Sequence, residues 1–317
     1  MTTISPSGSV HEQTGAGPTA ARLTAVQTAL ATRVLGKSHE LRLALTCLLA
    51  DGHLLIEDVP GVGKTTMAHA VAQVFGLTFS RIQFTSDLMP SDILGVSVFD
   101  RNTANFVFNR GPIFAELVLA DEVNRASPRT QSALLEAMSE RQVTVDGHTR
   151  RLAPPFNVIA TQNPVDHSGT FALPDSQLDR FVMRIGMGYP PAEAERRLLA
   201  EGSQRDQPLT PIATPSDLLA WQRSTTHIAT REAVIDYLLR LMHYSRRPGL
   251  FEQGLSPRAG LALRRAAQAW AMLDGRDFVL PEDIQAVLPA VADHRLHRRD
   301  GDKAPGSALL LEHVGVD

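Results

Sequence analysis

The sequence predicts an α/β protein whose three-layer α/β/α core is followed by a smaller all-helical domain. Between residues 54 and 185, short apolar runs with strand character alternate with segments of helical periodicity. Strands that alternate with helices form a parallel sheet with helices on both faces. After Tyr189 two prolines follow and the strand-like runs disappear, so the remaining periodic segments indicate helices only.

The individual elements follow from the same periodicity. A helical stretch over residues 19–50, interrupted at 34–37, precedes the first strand. The expected strands are 54–57, 78–84, 117–120, 156–161 and 181–185. Two inserted hairpins are expected, 96–99 with 106–109 and 143–145 with 148–152, the second around the turn signal Asp146-Gly147. The helices expected in the second domain are 193–201, 215–223, 231–245, 257–273 and 281–291.

Composition and these elements set the organisation of the chain. We expect a disordered amino-terminal tail over 1–18, the α/β domain over 19–189, the helical domain over 190–300 and a carboxyl-terminal tail over 301–317. The net charge of −3 does not favour bulk electrostatic binding to nucleic acid. No apolar run approaches the ~20 residues that cross a bilayer, and the single cysteine, Cys47, cannot form an intrachain disulfide. We therefore expect a cytoplasmic protein that binds no nucleic acid and does not insert into membranes.

A glycine-rich turn follows the first expected strand and opens a helix. We predict that all of its residues contact a nucleotide: Pro60, Gly61, Val62, Gly63, Lys64, Thr65 and Thr66. This order is that of a P-loop, in which backbone N–H groups and a helix N-terminus cradle a nucleoside triphosphate. Gly61 and Gly63 let the backbone approach the phosphates. Lys64 is expected to reach the β- and γ-phosphates, and the Thr65 hydroxyl to bind Mg²⁺. Where the common pattern begins with glycine, this chain has Asp58.

A second signature is the apolar run Leu117-Val118-Leu119-Ala120, which ends in Asp121 and Glu122. Adjacent carboxylates at the carboxyl end of a parallel strand lie where ligands bind such sheets. Asp121 is expected to hold Mg²⁺ through a water molecule, and Glu122 to polarise the attacking water. Together with the P-loop, this pair predicts hydrolysis of the bound nucleotide.

Three further polar residues stand where they could complete such a site. Asn163 ends an apolar strand and is expected to orient water beside Glu122, although an Asn-Pro pair also ends many strands as a simple turn. Arg180 could stabilise transition-state charge on a neighbouring subunit's nucleotide, or form a surface ion pair with Asp179 worth ~0–1 kcal/mol. Arg258 lies in the first turn of a well-capped helix and could face either the phosphates or the solvent.

Together these motifs resemble those of the MoxR family of AAA+ ATPases over nearly the whole chain. The segments that carry the resemblance are 57–65, 81–85 with 90–92, 120–126, 131–138, 160–164, 178–181 and 256–258. The resemblance implies an AAA+ P-loop core with a parallel five-stranded sheet, inserted hairpins and a small helical lid.

The resemblance also implies roles for the remaining candidates. Asn163 looks like sensor 1, Arg180 like an arginine finger acting in trans, and Arg258 like sensor 2 on the lid. Val34 and Gly36 match the segment that usually packs near adenine. ATP and Mg²⁺ are the implied cofactors. The implied assembly is a homo-hexameric, chaperone-like motor that acts on a protein client. Its implied partner carries a von Willebrand factor A domain, and its implied task is metal-cofactor insertion or complex maturation.

Several other functions share part of this pattern. A magnesium-chelatase-like motor subunit would use the same chemistry. An enhancer-type transcription activator would need a Gly-Ala-Phe-Thr-Gly-Ala loop, where this chain has Gly95-Val96-Ser97-Val98-Phe99. A nucleotide-gated binding module with little turnover is the alternative from another class, and Glu122 argues against it. A small-molecule phosphotransferase would need an acceptor pocket, which no motif here indicates.

Overall fold

The computed structural model describes residues 17–163, 170–202, 208–302 and 304–316. The strands are β1 (Leu54–Glu57), β2 (Phe79–Gln83), β3 (Gly95–Asp100), β4 (Asn105–Arg110), β5 (Leu117–Asp121), β6 (Gln142–Val145), β7 (His148–Arg151), β8 (Asn157–Gln162) and β9 (Met183–Ile185). The α-helices are α1 (Pro18–Arg33), α2 (Ser38–Leu49), α3 (Lys64–Val74), α4 (Pro90–Leu94), α5 (Pro128–Glu140), α6 (Asp175–Leu178), α7 (Ala192–Glu201), α8 (Pro215–Thr225), α9 (Glu232–Ser245), α10 (Pro257–Leu273), α11 (Pro281–Ala292) and α12 (Gly306–His313).

A five-stranded sheet in the order β2-β5-β8-β1-β9 forms the centre of the first domain. All of its neighbouring strands run parallel, so their carboxyl ends meet at one edge. Helices α1 to α3 cover one face, and α4 and α5 cover the other. The predicted α/β/α core with a parallel five-stranded sheet is therefore confirmed.

Alternation along the strands explains why the sheet is buried on both faces. Successive side chains of a strand point to opposite sides. The side chains of Leu117 and Leu119 join one apolar core, while those of Val118 and Ala120 join the other. Every residue of β5 is buried. A strand that is buried on both faces belongs in the middle of a parallel sheet, and β5 lies between β2 and β8.

Two antiparallel hairpins, β3–β4 and β6–β7, are inserted between these strands. The base of the first hairpin requires glycine, because a Cβ on Gly95 would lie 2.3 Å from the Asn109 carbonyl oxygen, and its φ is +98°. Several apolar side chains of this hairpin face solvent, and Phe106 is 72% exposed.

The chain after β9 is helical in the described residues, from α7 to α12. Helix α10 lies at the centre of this region and packs against α11 and also against α2 of the first domain. No helix among the described residues is long and apolar enough to span a membrane.

The structure differs from the expected terminal tails at both ends of the described chain. Most of the tail expected over 1–18 lies outside the described residues, and Pro18 already belongs to α1. The tail expected over 301–317 contains helix α12 instead, with Leu310 fully buried. Asp293, just after α11, accepts hydrogen bonds from the Ser307 backbone N–H at 2.7 Å and from its hydroxyl at 3.0 Å. A helix this short shows little periodicity in sequence, and its packing against α9 and α11 stabilises it.

Candidate functional site

The P-loop geometry leaves a helix N-terminus open to an anion. Gly61 and Gly63 have φ of +88° and +97°, a region that glycine enters without strain. Helix α3 begins at Lys64, and no side chain caps its N-terminus. Its first N–H groups therefore lack intrahelical partners and carry partial positive charge, as phosphate binding requires. Thr65 and Thr66 follow in the first turn and are half-buried.

Lys64 joins the P-loop to the end of β8. Its side chain is 8% exposed. The Nζ atom donates to the Asp58 carbonyl oxygen at 2.5 Å and to Asn163 Oδ1 at 2.8 Å. Burial lowers the pKa of Lys64, and the nearby carboxylates of Asp58, Asp121 and Glu122 oppose that shift. The ammonium group thus lies among groups of opposite charge at the carboxyl edge of the sheet.

The acidic pair is held by a different neighbour at each oxygen. Asp121 Oδ1 accepts the Thr161 hydroxyl at 2.6 Å, and Asp121 Oδ2 accepts Arg81 Nη2 at 2.6 Å. Glu122 Oε1 accepts Asn163 Nδ2 at 3.2 Å, and Oε2 accepts the side-chain amide of Gln83 at 2.9 Å.

The backbone of Glu122 is itself unusual. Its φ of +57° and ψ of +48° are left-handed, which costs a non-glycine residue roughly 1–2 kcal/mol. The backbone N–H of Glu122 donates to the Thr161 hydroxyl at 2.9 Å, which helps to hold this conformation. Strain of this kind is often found where a side chain must be aimed at a reaction.

The structure therefore brings four predicted residues together. Lys64, Asp121, Glu122 and Asn163 lie at the carboxyl ends of adjacent strands or at the helix that follows. Asn163 links Lys64 to Glu122, and the Thr161 hydroxyl links Asp121 to the backbone of Glu122.

Sequence reasoning gave no role to Arg81 and Gln83 of β2, which complete the network. Both are polar residues at alternate positions of one strand, and this pattern in the sequence could have indicated that they face the same side of the sheet. The register that pairs Gln83 with Asp121 is visible only in the sheet.

Asp58 has a structural role that explains its departure from the glycine pattern. Its Oδ1 accepts the Val59 backbone N–H at 2.7 Å. Its Oδ2 accepts the backbone N–H of Met187 at 2.6 Å and that of Gly188. Residues 187–188 are where the chain leaves the sheet for the helical domain. The carboxylate thus joins the start of the P-loop to this connection, which glycine cannot do.

The segment expected near adenine lies at the same junction. Val34 is buried, and Gly36 has a φ of +71°. A Cβ on Gly36 would lie 2.6 Å from Pro191 Cδ, at the start of the helical domain. The next residue, Lys37, donates to the carbonyl oxygens of Met187 and Tyr189. Contact with adenine stays a prediction for Val34 and Gly36.

Two predicted arginines lie apart from this network. Arg180 is half-buried, and its Nη1 donates to the Ser139 hydroxyl at the end of α5. Arg258 is exposed in the first turn of α10, which Ser256 caps by accepting the Ala259 N–H at 3.1 Å. Within the described part of the chain, neither arginine forms a hydrogen bond or ion pair with Asp121, Glu122 or Asn163.

The residues present fit a nucleotide-bound Mg²⁺. This ion is usually held through one or two carboxylates together with phosphates and waters, and Asp121 and the Thr65 hydroxyl can provide the protein's share. The described residues contain no group of three or more His, Cys, Asp or Glu suited to a metal. The other ligands of such an ion would therefore come from phosphate and water.

Comparisons with known proteins agree with this site. The family model described as "ATPase family associated with various cellular activities (AAA)" matches residues 53–183, and an AAA lid domain model matches 246–310. The protein YeaC of Bacillus subtilis is 47% identical over 83% of this chain and 83% of its own length. Chaperone MoxR1 of Mycobacterium tuberculosis is 40% identical over 83% of this chain and 72% of its own.

A solved structure has the same fold. It is that of a protein assigned as an ATPase from Cytophaga hutchinsonii, with a TM-score of 0.84 and 34% sequence identity. The match covers 92% of this chain and 93% of the other. The first family match contains every residue of the network, from Asp58 to Asn163, and the lid match contains Arg258.

Proposed function

Since the chain belongs to the MoxR family of AAA+ ATPases, we propose that it binds ATP with Mg²⁺ and hydrolyses it between subunits of a homo-hexameric ring. The observation that carries the proposal is the hydrogen-bonded network at the sheet edge. In it Asn163 contacts both Lys64, the candidate phosphate ligand, and Glu122, the candidate for activating water. One amide thus links the two groups that hydrolysis must bring to the same phosphate.

Each residue of the network has a proposed task. The glycines and the N-terminus of α3 bind the phosphates, with Lys64 on the β- and γ-phosphates. Thr65 and, through water, Asp121 would hold Mg²⁺, which would neutralise charge on the phosphate oxygens. Glu122 accepts a proton from the attacking water, and Asn163 orients that water.

The two distant arginines are proposed to act from other places. Arg180 is assigned to the neighbouring subunit's nucleotide, where a guanidinium stabilises transition-state charge. Among the described residues it forms no hydrogen bond with its own Glu122, which supports a role in trans. Arg258 is assigned to the nucleotide bound in its own subunit, because its side chain is exposed in the first turn of a lid helix.

The biological task is proposed from the family. A relative at 40% identity is described as a chaperone, so we assign this chain a chaperone-like role on a protein client. Its partner is proposed to carry a von Willebrand factor A domain, and the outcome to be metal-cofactor insertion or maturation of a complex.

The test is the ATPase rate per subunit measured against protein concentration, with Glu122→Gln as the blank. If subunits complete each other's sites, the rate per subunit rises with concentration and the blank stays inactive. Phosphate release at the level of the blank at every concentration would contradict the proposal, and would favour a nucleotide-gated binding module. Sizing of the protein in ATP gives the number of subunits in the ring.

A further inference from the structure

One arginine of the lid contacts the backbone on both sides of Arg180. Arg295 lies just after α11, and its side chain is only 8% exposed. Its Nη2 donates to the Phe181 carbonyl oxygen at 2.7 Å and to that of Asp179 at 3.3 Å. Its Nε donates to Asp179 Oδ1 at 2.7 Å. The residues immediately before and after Arg180 are therefore both bonded to the same guanidinium.

The segment that carries Arg180 is held both by packing and by these polar contacts. Helix α6 is a single turn of 4 residues with no buried residue. Leu178 at its end is partly buried against the apolar core that contains the fully buried Phe181.

A cleft of about 240 Å³ separates α6 from the lid. Polar groups bridge this cleft: besides Arg295, His297 Nε2 lies 3.3 Å from Asp175 Oδ1, and His294 Nε2 lies 3.4 Å from the Phe181 carbonyl oxygen.

We propose that Arg295 is a positioning residue for Arg180, so that the lid of one subunit sets the placement of the arginine finger in the next subunit's site. The proposal rests on the proposed trans role of Arg180. Since Arg258 belongs to the same lid, a lid that moves with its own nucleotide also moves the support of Arg180. Occupancy of one site is thereby transmitted to hydrolysis in the neighbouring one.

The chemistry of the contact suits a guanidinium in particular. A planar fork can reach a carboxylate and two carbonyl oxygens at once, whereas a lysine ammonium is a compact charge on a flexible stem. Arg295→Lys keeps the charge and loses the fork. Asp179→Asn is the gentler change, because Asp179 is more exposed and the backbone contacts of Arg295 are kept.

The test uses two variants, so that Arg180 and the nucleotide site on which it acts come from different subunits. Arg180→Ala subunits keep their own site and lack a finger, while Glu122→Gln subunits keep a finger and cannot hydrolyse. A mixture of the two is active only where a Glu122→Gln subunit offers Arg180 to its neighbour. Arg295→Lys or Asp179→Asn is then added to one partner at a time, and the rate of the mixture is measured.

We expect the added change to lower the rate roughly ten- to hundred-fold on the Glu122→Gln partner, since small misplacements of a catalytic group cost this much. On the Arg180→Ala partner we expect the rate of the parent mixture. Equal losses on both partners, or no loss on either, would overturn the proposal. A parent mixture that is itself inactive would overturn the trans role of Arg180 instead, and the inference with it.

Arg298→Ala is the matched control. Arg298 belongs to the same lid, and its ion pairs with Asp300 at 2.5 Å and Asp302 at 3.1 Å stay within one loop. This variant should leave the mixture unchanged on either partner. Thermal unfolding of each variant identifies any that fails to fold, and Asp179→Asn then carries the test alone.

Discussion

At the scale of single residues, Asp58 shows how a departure from a motif can be a structural requirement. The common P-loop pattern has glycine at this position. Here the carboxylate accepts three backbone N–H groups, from Val59, Met187 and Gly188. Two of these lie more than a hundred residues away, so the P-loop is fixed to the start of the helical domain as well as to the sheet.

Asp58→Gly restores the common pattern, yet we expect it to weaken ATP binding. A buried N–H left without its acceptor costs about 1–3 kcal/mol, and among the three donors Met187 is buried. A penalty of about 1.4 kcal/mol in the bound state corresponds to ten-fold weaker binding. Titration with a fluorescent ATP analogue measures this change, with Asp58→Asn as the control that keeps one acceptor oxygen. Unchanged affinity in Asp58→Gly would show that the contact to residues 187–188 does not support the P-loop.

At the scale of elements, His53 connects three pieces of the first domain. It directly precedes β1, and its Nδ1 accepts the Val158 N–H of β8 at 3.0 Å. Its Nε2 then carries the proton and donates to the Met138 carbonyl oxygen of α5 at 3.1 Å. Burial lowers the pKa of His53 to about 4, with Arg141 adding to the effect. The imidazole is therefore neutral in the folded protein at pH 7.

We expect the free energy of unfolding to fall as the pH drops from 6.5 towards 4. The folded pKa of His53 is about 4 and lies below the ordinary histidine value of 6.5, so in this window the unfolded chain binds more protons and acid favours it. Above pH 6.5 the difference between the two pKa values of His53 contributes in full to the free energy of unfolding, by about 3 kcal/mol. This contribution is lost as the pH falls to 4. Denaturant titrations at several pH values measure this slope.

His53→Gln tests whether His53 causes this pH dependence of the free energy of unfolding, because the glutamine amide keeps one donor and one acceptor and does not titrate. It should flatten the dependence between pH 6.5 and 4, while the exposed His148→Gln should not. The buried His294, whose pKa is also lowered by burial, accounts for slope that remains. An identical slope in His53→Gln and the wild type would mean that His53 is not neutral when folded.

At the scale of the whole molecule, the groups assigned to hydrolysis do not all meet within one subunit. Lys64 and Glu122, the proposed phosphate ligand and water-activating carboxylate, lie at the sheet edge, whereas Arg180 lies beyond α6 and contacts Ser139. The absence of a hydrogen bond from Arg180 to Glu122 in the described residues supports the proposed role on a nucleotide bound by another copy of the chain. In the proposed ring, each site would receive Arg180 from the neighbouring subunit.

Arg180→Ala doped into wild-type protein should inhibit by more than its mole fraction. Each variant subunit keeps its own P-loop and enters the ring, but it deprives its neighbour of a charge worth 10³-fold or more in related nucleotide hydrolases. The measurement is the ATPase rate across a series of mixing ratios, with ATP affinity of the pure variant measured in parallel. Inhibition strictly proportional to the mole fraction would argue against a role in trans.

The sequence by itself determined the fold class, the order of strands and helices and the family, because these depend on local periodicity and on contiguous motifs. It also placed Glu122 and Asn163 at the ends of strands and Lys64 at the start of the helix after the first strand, where a parallel sheet gathers its ligands. Their tasks in hydrolysis remain predictions.

Only the tertiary structure decided which distant residues meet. Arg81 and Gln83 reach the acidic pair because β2 lies beside β5, and Asp58 reaches residues 187–188 because β1 lies beside β9. Helix α12 and the contact of Arg295 with Asp179 likewise depend on packing between segments far apart in the chain. Neither the helix nor this contact can be predicted from its own stretch of sequence. The residues against which each of them packs lie in other parts of the chain.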